Sequence, residues 1–170
     1  MDKLLKSDSH KIWEIALSNE LGQLAQGVRQ VNGNEIINFI PYTDVPKEKL
    51  VAYANMVCDV RPLKTEKFRL RLTVQGDCLQ YPDYTASPAA SLLEAKLLLN
   101  STISQSSKDA EFITIDIKDF FLQTVMSESE YMKNHSKYFL QDIQQQYDID
   151  KLINTDRYVY CRIKKGMYGL

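Results

Sequence analysis

Trp13, Leu17, Leu21, Leu24 and Val28 recur at steps of four and three, so on a helix they form one stripe, widened by Ile12 and Ala16. Asp8 or Ser9 stands where an N-cap belongs, and Asn32-Gly33-Asn34 ends the pattern with turn chemistry. Trp13 reads as a core anchor. A short apolar stretch, Ile36 to Ile40, stops at Pro41. From Val51 onward the period changes. Met56 to Val60 predicts a strand, and Arg61 to Lys67 a charged connection. Phe68, Leu70, Leu72 and Val74 then alternate with Arg69, Arg71, Thr73 and Gln75 before Gly76-Asp77 closes the run. The pattern predicts an antiparallel pair with one wet face, on which Arg69 and Arg71 stand together.

Beyond a Tyr81–Tyr84 loop, Ser87-Pro88 has the form of an N-cap followed by proline at the first helical position. Leu92, Ala95, Leu99 and Ile103, with Leu93 and Leu97 beside them, predict a helix apolar on so wide a front that burial against several neighbours is expected. Glu111 to Ile117 alternates as a strand, with Ile113, Ile115 and Ile117 on one side and Phe112, Thr114 and Asp116 on the other. Ser127 to Tyr147 is polar and reads as helical in parts. Arg157 to Lys165 predicts a last strand, setting Val159, Cys161 and Ile163 against Tyr158, Tyr160 and Arg162.

Strands and helices interspersed in this way predict an α+β class. Hydrophobic residues make up 44% of the 170 positions and charged ones 25%, which excludes wholesale disorder. A formal charge of −1 means that any polyanion binding must come from local clustering. Cys58, Cys78 and Cys161 are scattered and odd in number, and the first ten residues are polar, so reduced thiols in an intracellular protein are expected. His10 and His135 are the only imidazoles, which argues against zinc. No apolar run is long enough to span a bilayer, and no membrane partner is expected.

Aspartate is depleted in strands, so Asp116 at the end of an isoleucine-rich one asks for a reason. Either it is a ligand for a hard cation or it bonds a nearby turn. Asp119 is a second ligand or the start of the turn carrying Phe120, Phe121 and Leu122. Arg61, Lys64, Lys67, Arg69 and Arg71 face a single acid, Glu66, in the window 61–71. Such a window suits a triphosphate or a nucleic-acid backbone, or is simply a solvated strand face. Arg157, Arg162, Lys164 and Lys165 form a second basic cluster with the same two readings. Tyr158 and Tyr160, at strand spacing, read as packing or hydrogen-bonding residues.

The run Thr114-Ile115-Asp116-Ile117-Lys118-Asp119-Phe120-Phe121-Leu122 resembles the first carboxylate motif of reverse transcriptases from copia-type LTR retrotransposons. Phe68 to Gly76 is similar to that family's fingers strand. Lys164-Lys165-Gly166-Met167-Tyr168-Gly169-Leu170 is similar to its approach to the template grip, with Met167 where leucine is usual. The opening helix with Trp13, Ala16 and Glu20 also resembles the family's start. The resemblance implies a right-hand polymerase, with fingers at 1–107 and the beginning of a palm at 108–170, antiparallel strands packed with helices. It implies an RNA-directed DNA polymerase acting on an RNA or DNA template with primer and deoxynucleoside triphosphates. It makes Asp116 the catalytic ligand of Mg²⁺, with the Ile117 carbonyl beside it. The backbone amides of Asp119 and Phe120 would face the triphosphate, and the Phe121 ring would reject a 2′-hydroxyl. Arg71 would clamp phosphate, with Lys67 or Arg69 as the second cation.

The family's second carboxylate motif, Tyr-x-Asp-Asp, does not occur in this sequence, nor do the rest of the palm, the thumb or the ribonuclease H region. One aspartate falls short of the charge and donor count that two divalent ions demand. Residues 1–170 alone are therefore expected to lack polymerase activity. The alternative reading is a non-catalytic remnant that binds nucleic acid or protein through the basic hairpin 61–71. A primer-extension assay on the purified chain checks the first expectation: Mg²⁺-dependent synthesis that disappears in Asp116→Asn would overturn it.

Overall fold

The computed structural model describes residues 3–4, 9–79, 90–115, 117 and 119–170, with backbone only at Cys78 and Phe121. The chain forms two compact units, Met1–Leu79 with Asp119–Leu170, and Gln80–Lys118. In chain order the first unit holds α1 (His10–Leu24), β1 (Gly27–Val28), β2 (Val31–Asn32), β3 (Ile37–Ile40), β4 (Val51–Val60) and β5 (Phe68–Val74). The second holds α2 (Leu92–Ser104), and the first resumes with β6 (Val125–His135), α3 (Gln141–Tyr147) and β7 (Tyr158–Lys165). The expected boundary between residues 107 and 108 falls inside the second unit. Among the described residues no helix is long and apolar enough to cross a membrane.

The first unit is a mixed α+β body. Its five-stranded sheet runs β3-β7-β6-β4-β5, antiparallel except for β4 beside β6, while β1 and β2 form a separate hairpin. Alternation divides the sheet into two faces. Ile37, Ala52, Leu70, Leu72, Val74, Met132, Val159, Cys161 and Ile163 are buried on one of them, in the cluster that also holds Leu17, Leu21 and Leu24 of α1 and Ile143 of α3. Trp13 meets Phe68 edge-on, ring centroids 5.4 Å apart, which fixes α1 across β5. Phe39 meets Phe139 at 5.5 Å and Tyr147 at 5.0 Å in the same manner, closing the core at the other sheet edge. Full burial of each large aliphatic side chain contributes roughly 1.5–3 kcal/mol, so this face supplies most of the unit's cohesion.

Several expectations are met in detail. The expected stripe buries Trp13, Leu17, Leu21 and Leu24, the Ile36–Ile40 stretch becomes β3, and the 68–74 alternation is a strand whose Leu70, Leu72 and Val74 point inward. Others need correction. The first helix stops at Leu24 rather than at Asn32, because Ala25 leaves helical geometry and the chain turns into the β1–β2 hairpin. Val28 keeps its buried position from that hairpin, against Gly22. The polar stretch 127–147 is helical in parts, as expected, at a 3-10 turn over Ser136–Tyr138 and at α3, but its first part is β6, a central strand. Pairing on both sides holds it at Tyr131–Lys133, whereas Ser127–Ser129, weak strand formers, lie in an irregularity between the Val125 and Glu130 pairings with β7.

In the second unit α2 begins at a capping box. Ser91 Oγ accepts from the Glu94 amide at 3.2 Å, and the Glu94 carboxylate accepts from the Ser91 amide at 2.5 Å. Ser87 and Pro88 lie outside the described residues. The expected burial of this helix is not found: Leu92, Leu93, Leu97 and Ile103 are all exposed. Nor do residues 111–115 and 117 form the expected strand, and Ile113, Ile115 and Ile117 are exposed. Alternation marks a segment as fit for a sheet, but backbone donors and acceptors need a neighbouring strand to hold it there.

The last residues return to β5. The Val74 amide donates to the Tyr168 carbonyl at 2.8 Å, and Gly76 and Gly169 pack backbone against backbone. A Cβ at Gly76 would lie 1.8 Å from the Gly169 oxygen, and one at Gly169, where φ is +94°, would lie 2.0 Å from the Val74 oxygen. Gly76→Ala should therefore lower stability by about 1–3 kcal/mol. Urea unfolding checks this: the midpoint should fall with the slope unchanged, and a midpoint equal to wild type would refute the packing argument.

Candidate functional site

β4 and β5 pair antiparallel, with Asp59 opposite Arg69, Val57 opposite Arg71 and Asn55 opposite Thr73. Because Leu70, Leu72 and Val74 point into the core, Arg69 and Arg71 share the outer face. The basic window divides there. Arg61 at the hairpin end is tied to the Glu66 carboxylate and carbonyl, which neutralises it. Lys67 is exposed, its Nζ 5.5 Å from the Phe68 ring. Arg71 is half-buried and lies over the Tyr168 ring, 4.7 Å from its centroid. A guanidinium held on a ring face keeps its charge and most of its donors for an anion. Burial raises the thiols of Cys58 on β4 and of Cys161 in the core above the ordinary thiol range.

On the core side of β5 stands Glu20 of α1. Its Oε1 accepts from the Leu72 amide at 2.9 Å, satisfying a donor that an edge strand would otherwise leave open. Loss of hydration raises its pKa to about 7, against the lowering pull of the Leu72 amide, Arg69 and Arg71; Glu66 pushes it further up. Beside Glu20 a groove of about 210 Å³ runs between α1 and β5, floored by Ile12, Ile15, Ala16, Phe68 and Leu70.

Asp119 opens a tight turn in the left-handed region, φ +56°, a conformation aspartate tolerates. Leu122 donates to the Asp119 carbonyl at 3.0 Å and is itself buried, so the turn is anchored through its leucine. The Asp119 carboxylate accepts weakly from Gln23 Nε2 at 3.5 Å, and Phe120 is exposed. The Gly166 amide donates to the Thr124 carbonyl at 2.7 Å, joining the end of this turn to the terminal segment.

Asp116 lies outside the described residues, as does the side chain of Phe121. Ile117 belongs to the second unit and is exposed. Among the described residues no group of three or more His, Cys, Asp or Glu side chains is placed to hold a metal ion. His135 uses its Nδ1 to accept from the Lys137 amide at 3.2 Å, a turn-capping role. Of the second basic cluster, Lys165 reaches the Asn34 carbonyl at 2.6 Å and Arg162 is exposed. No protein-family model, curated protein or solved structure matches the chain.

Sequence reasoning placed Arg69 and Arg71 on one face but missed their surroundings. Tyr168 lies almost a hundred positions away, and both it and Glu20 entered only among the residues that carry the resemblance. Neither carries a local signal.

Glu20 makes stability depend on pH. Below about 4.5, the ordinary carboxylate value, it is neutral both folded and unfolded. Between 4.5 and about 7 the unfolded chain releases the proton that the folded one keeps, so stability falls as pH rises, and above 7 the loss levels off. Glu20→Gln retains an acceptor for the Leu72 amide without the charge. Its stability relative to wild type should therefore improve across that window, by on the order of 1–2 kcal/mol. Denaturation of both proteins at a series of pH values checks it; a difference independent of pH would show that the carboxyl is not desolvated.

Proposed function

We propose that this chain is the fingers and first palm segment of a copia-type reverse transcriptase, an RNA-directed DNA polymerase whose nucleotidyl transfer requires Mg²⁺ and a second carboxylate motif that these residues do not contain. One observation supports the reading best. Two of the stretches that carry the resemblance, 68–76 and 164–170, pack together in the first unit, and of the third, 114–122, residues 119–122 belong to the same unit. Tyr168 meets both Arg71 and the Val74 amide, Gly169 packs on Gly76, and Gly166 bonds Thr124. Random matches to a family pattern have no reason to pack together.

In this reading Arg71, with Lys67 or Arg69, draws the triphosphate to the outer face of the hairpin, where charge-assisted hydrogen bonds hold its oxygens. Asp116 with the Ile117 carbonyl belongs to the metal centre, and the Asp119–Phe120 turn faces the phosphates. Two bound Mg²⁺ ions would supply stabilisation of the attacking and leaving oxygens. The single carboxylate present does not meet that donor requirement, so activity is assigned to the protein that includes the second motif.

The alternative, a remnant that only binds nucleic acid through residues 61–71, draws support from the same exposed arginines. The two part at the downstream coding DNA. On the leading reading it continues in frame through a Tyr-x-Asp-Asp turn, and the extended protein incorporates deoxynucleotides with Mg²⁺. Asp116→Asn should abolish that activity, and Arg71→Ala should reduce kcat/KM for the nucleotide by about tenfold or more. Absence of such a turn in the continuation, together with salt-sensitive binding lost in the Arg69→Ala, Arg71→Ala double variant, would overturn the polymerase reading in favour of the remnant.

A further inference from the structure

The groove between α1 and β5 is lined by more than its part in closing the sheet edge requires. Its walls are apolar, with Ile12, Ile15 and Ala16 on the helix side and Phe68 and Leu70 on the strand side. Ile12 and Ile15 also reach the surface, at 43% and 52% exposure, so the mouth is apolar as well. Its volume of about 210 Å³ falls below the roughly 300–1,000 Å³ of a site for a drug-sized molecule. The space suits one long side chain.

The charge along the groove has one sign. Among the described residues its two charged lining groups are both acids, Glu20 and Glu66. Glu66 is already bound to Arg61 at the hairpin end. Glu20 accepts the Leu72 amide on Oε1, and among the described residues its carboxylate has no ion pair and no second donor. Arg69 and Arg71 attract Glu20 from the other face of β5, but neither lines the groove. The Asn19 oxygen is taken by Arg29, whereas Gln23 donates its amide nitrogen to Asp119 and keeps its oxygen as an acceptor. A carboxylate with one oxygen to spare, beside an apolar slot, complements an ammonium on an aliphatic stem. The methylenes cover isoleucine and phenylalanine while the charge meets the acid. A guanidinium fits less well, because it takes a carboxylate through both oxygens and Leu72 occupies one of them. A free diamine would bring a second ammonium for which no open acid remains.

We propose that the α1–β5 groove docks a partner polypeptide through one inserted lysine side chain, flanked by apolar residues, whose ammonium is held by Glu20. The groove lies on the core side of β5, away from the arginine face, so this docking is independent of the polymerase reading. NMR titration of the ¹⁵N-labelled chain with acetyl-Ile-Lys-Ile-amide tests it, followed at the Leu72 amide that shares the Glu20 carboxylate. At pH 8 this peptide should bind about ten- to a hundredfold more tightly than acetyl-Ile-norleucine-Ile-amide, the yield of one charge-assisted hydrogen bond. The arginine analogue and 1,4-diaminobutane should both bind more weakly than the lysine peptide. Glu20→Gln keeps an acceptor for Leu72, so it should erase the preference for lysine and leave norleucine binding unchanged, with circular dichroism checking the fold. The preference should also shrink from pH 8 to pH 5, because burial raises the Glu20 pKa to about 7 and the carboxyl is neutral at the lower pH. Arg69 and Arg71 across the strand and Glu66 beside the groove are the charged groups acting on it. Lysine binding no tighter than norleucine, arginine or diaminobutane, or a preference that survives Glu20→Gln or acidification, would overturn the proposal.

Discussion

An edge strand is the weakest part of an open sheet, and the first unit depends on how β5 is closed. Two of its outward amides have partners contributed from distant chain positions. Leu72 donates to the Glu20 carboxylate and Val74 to the Tyr168 carbonyl. Both bonds hold the strand in the register that sends Leu70, Leu72 and Val74 inward; a slip of one residue would exchange them for Arg69, Arg71 and Thr73. The arginine face therefore exists because a helix carboxylate and a terminal backbone fix the opposite side. Glu20 serves this purpose at the cost of a desolvated acid, which is why its proton affinity and the stability of the sheet edge are coupled.

The same alternation segregates charge from the core. The inward residues of β5 pack under α1, while on the outer face Arg71 and Lys133 lie against rings rather than carboxylates. Arg71 on Tyr168 and Lys133 on Tyr53 share this arrangement. A ring stabilises a cation by a modest amount and leaves it available to an anion, whereas a carboxylate neutralises it outright. Arg61, bound to Glu66 at the same hairpin, illustrates the contrast. The number of basic residues in a window is thus a poor guide to a polyanion site; the identity of each residue's partner is the better one.

Sequence legibility followed this division. Strands and helices held by local periodicity were plain: α1 through Trp13 to Leu24, β5 through its strict alternation, β7 through Val159, Cys161 and Ile163. β6 was obscured because Ser127 to Glu130 are poor strand formers, and its place in the sheet comes from pairing on both flanks. The hairpin arginines were legible because alternation alone assigns a face. Tyr168, Tyr53 and Lys133 were not, since each becomes a neighbour only through long-range pairing that no spacing records. The resemblance motifs named Arg71, yet had no means of placing Glu20 beneath it.

Residues 111–117 show where pattern ends and context begins. Their alternation of isoleucine with Phe112, Thr114 and Asp116 is as regular as that of Phe68 to Val74, yet one segment is a strand and the other, over its described residues, is not. The difference lies in what each has to pair with. β5 has β4 along its length and α1 against its apolar side, so hydrogen bonds and burial reward the same register. For 111–117 the isoleucine side chains are exposed and no strand pairs with the described backbone. A period of two specifies which side chains would share a face; it does not supply the neighbour that makes a face worth forming.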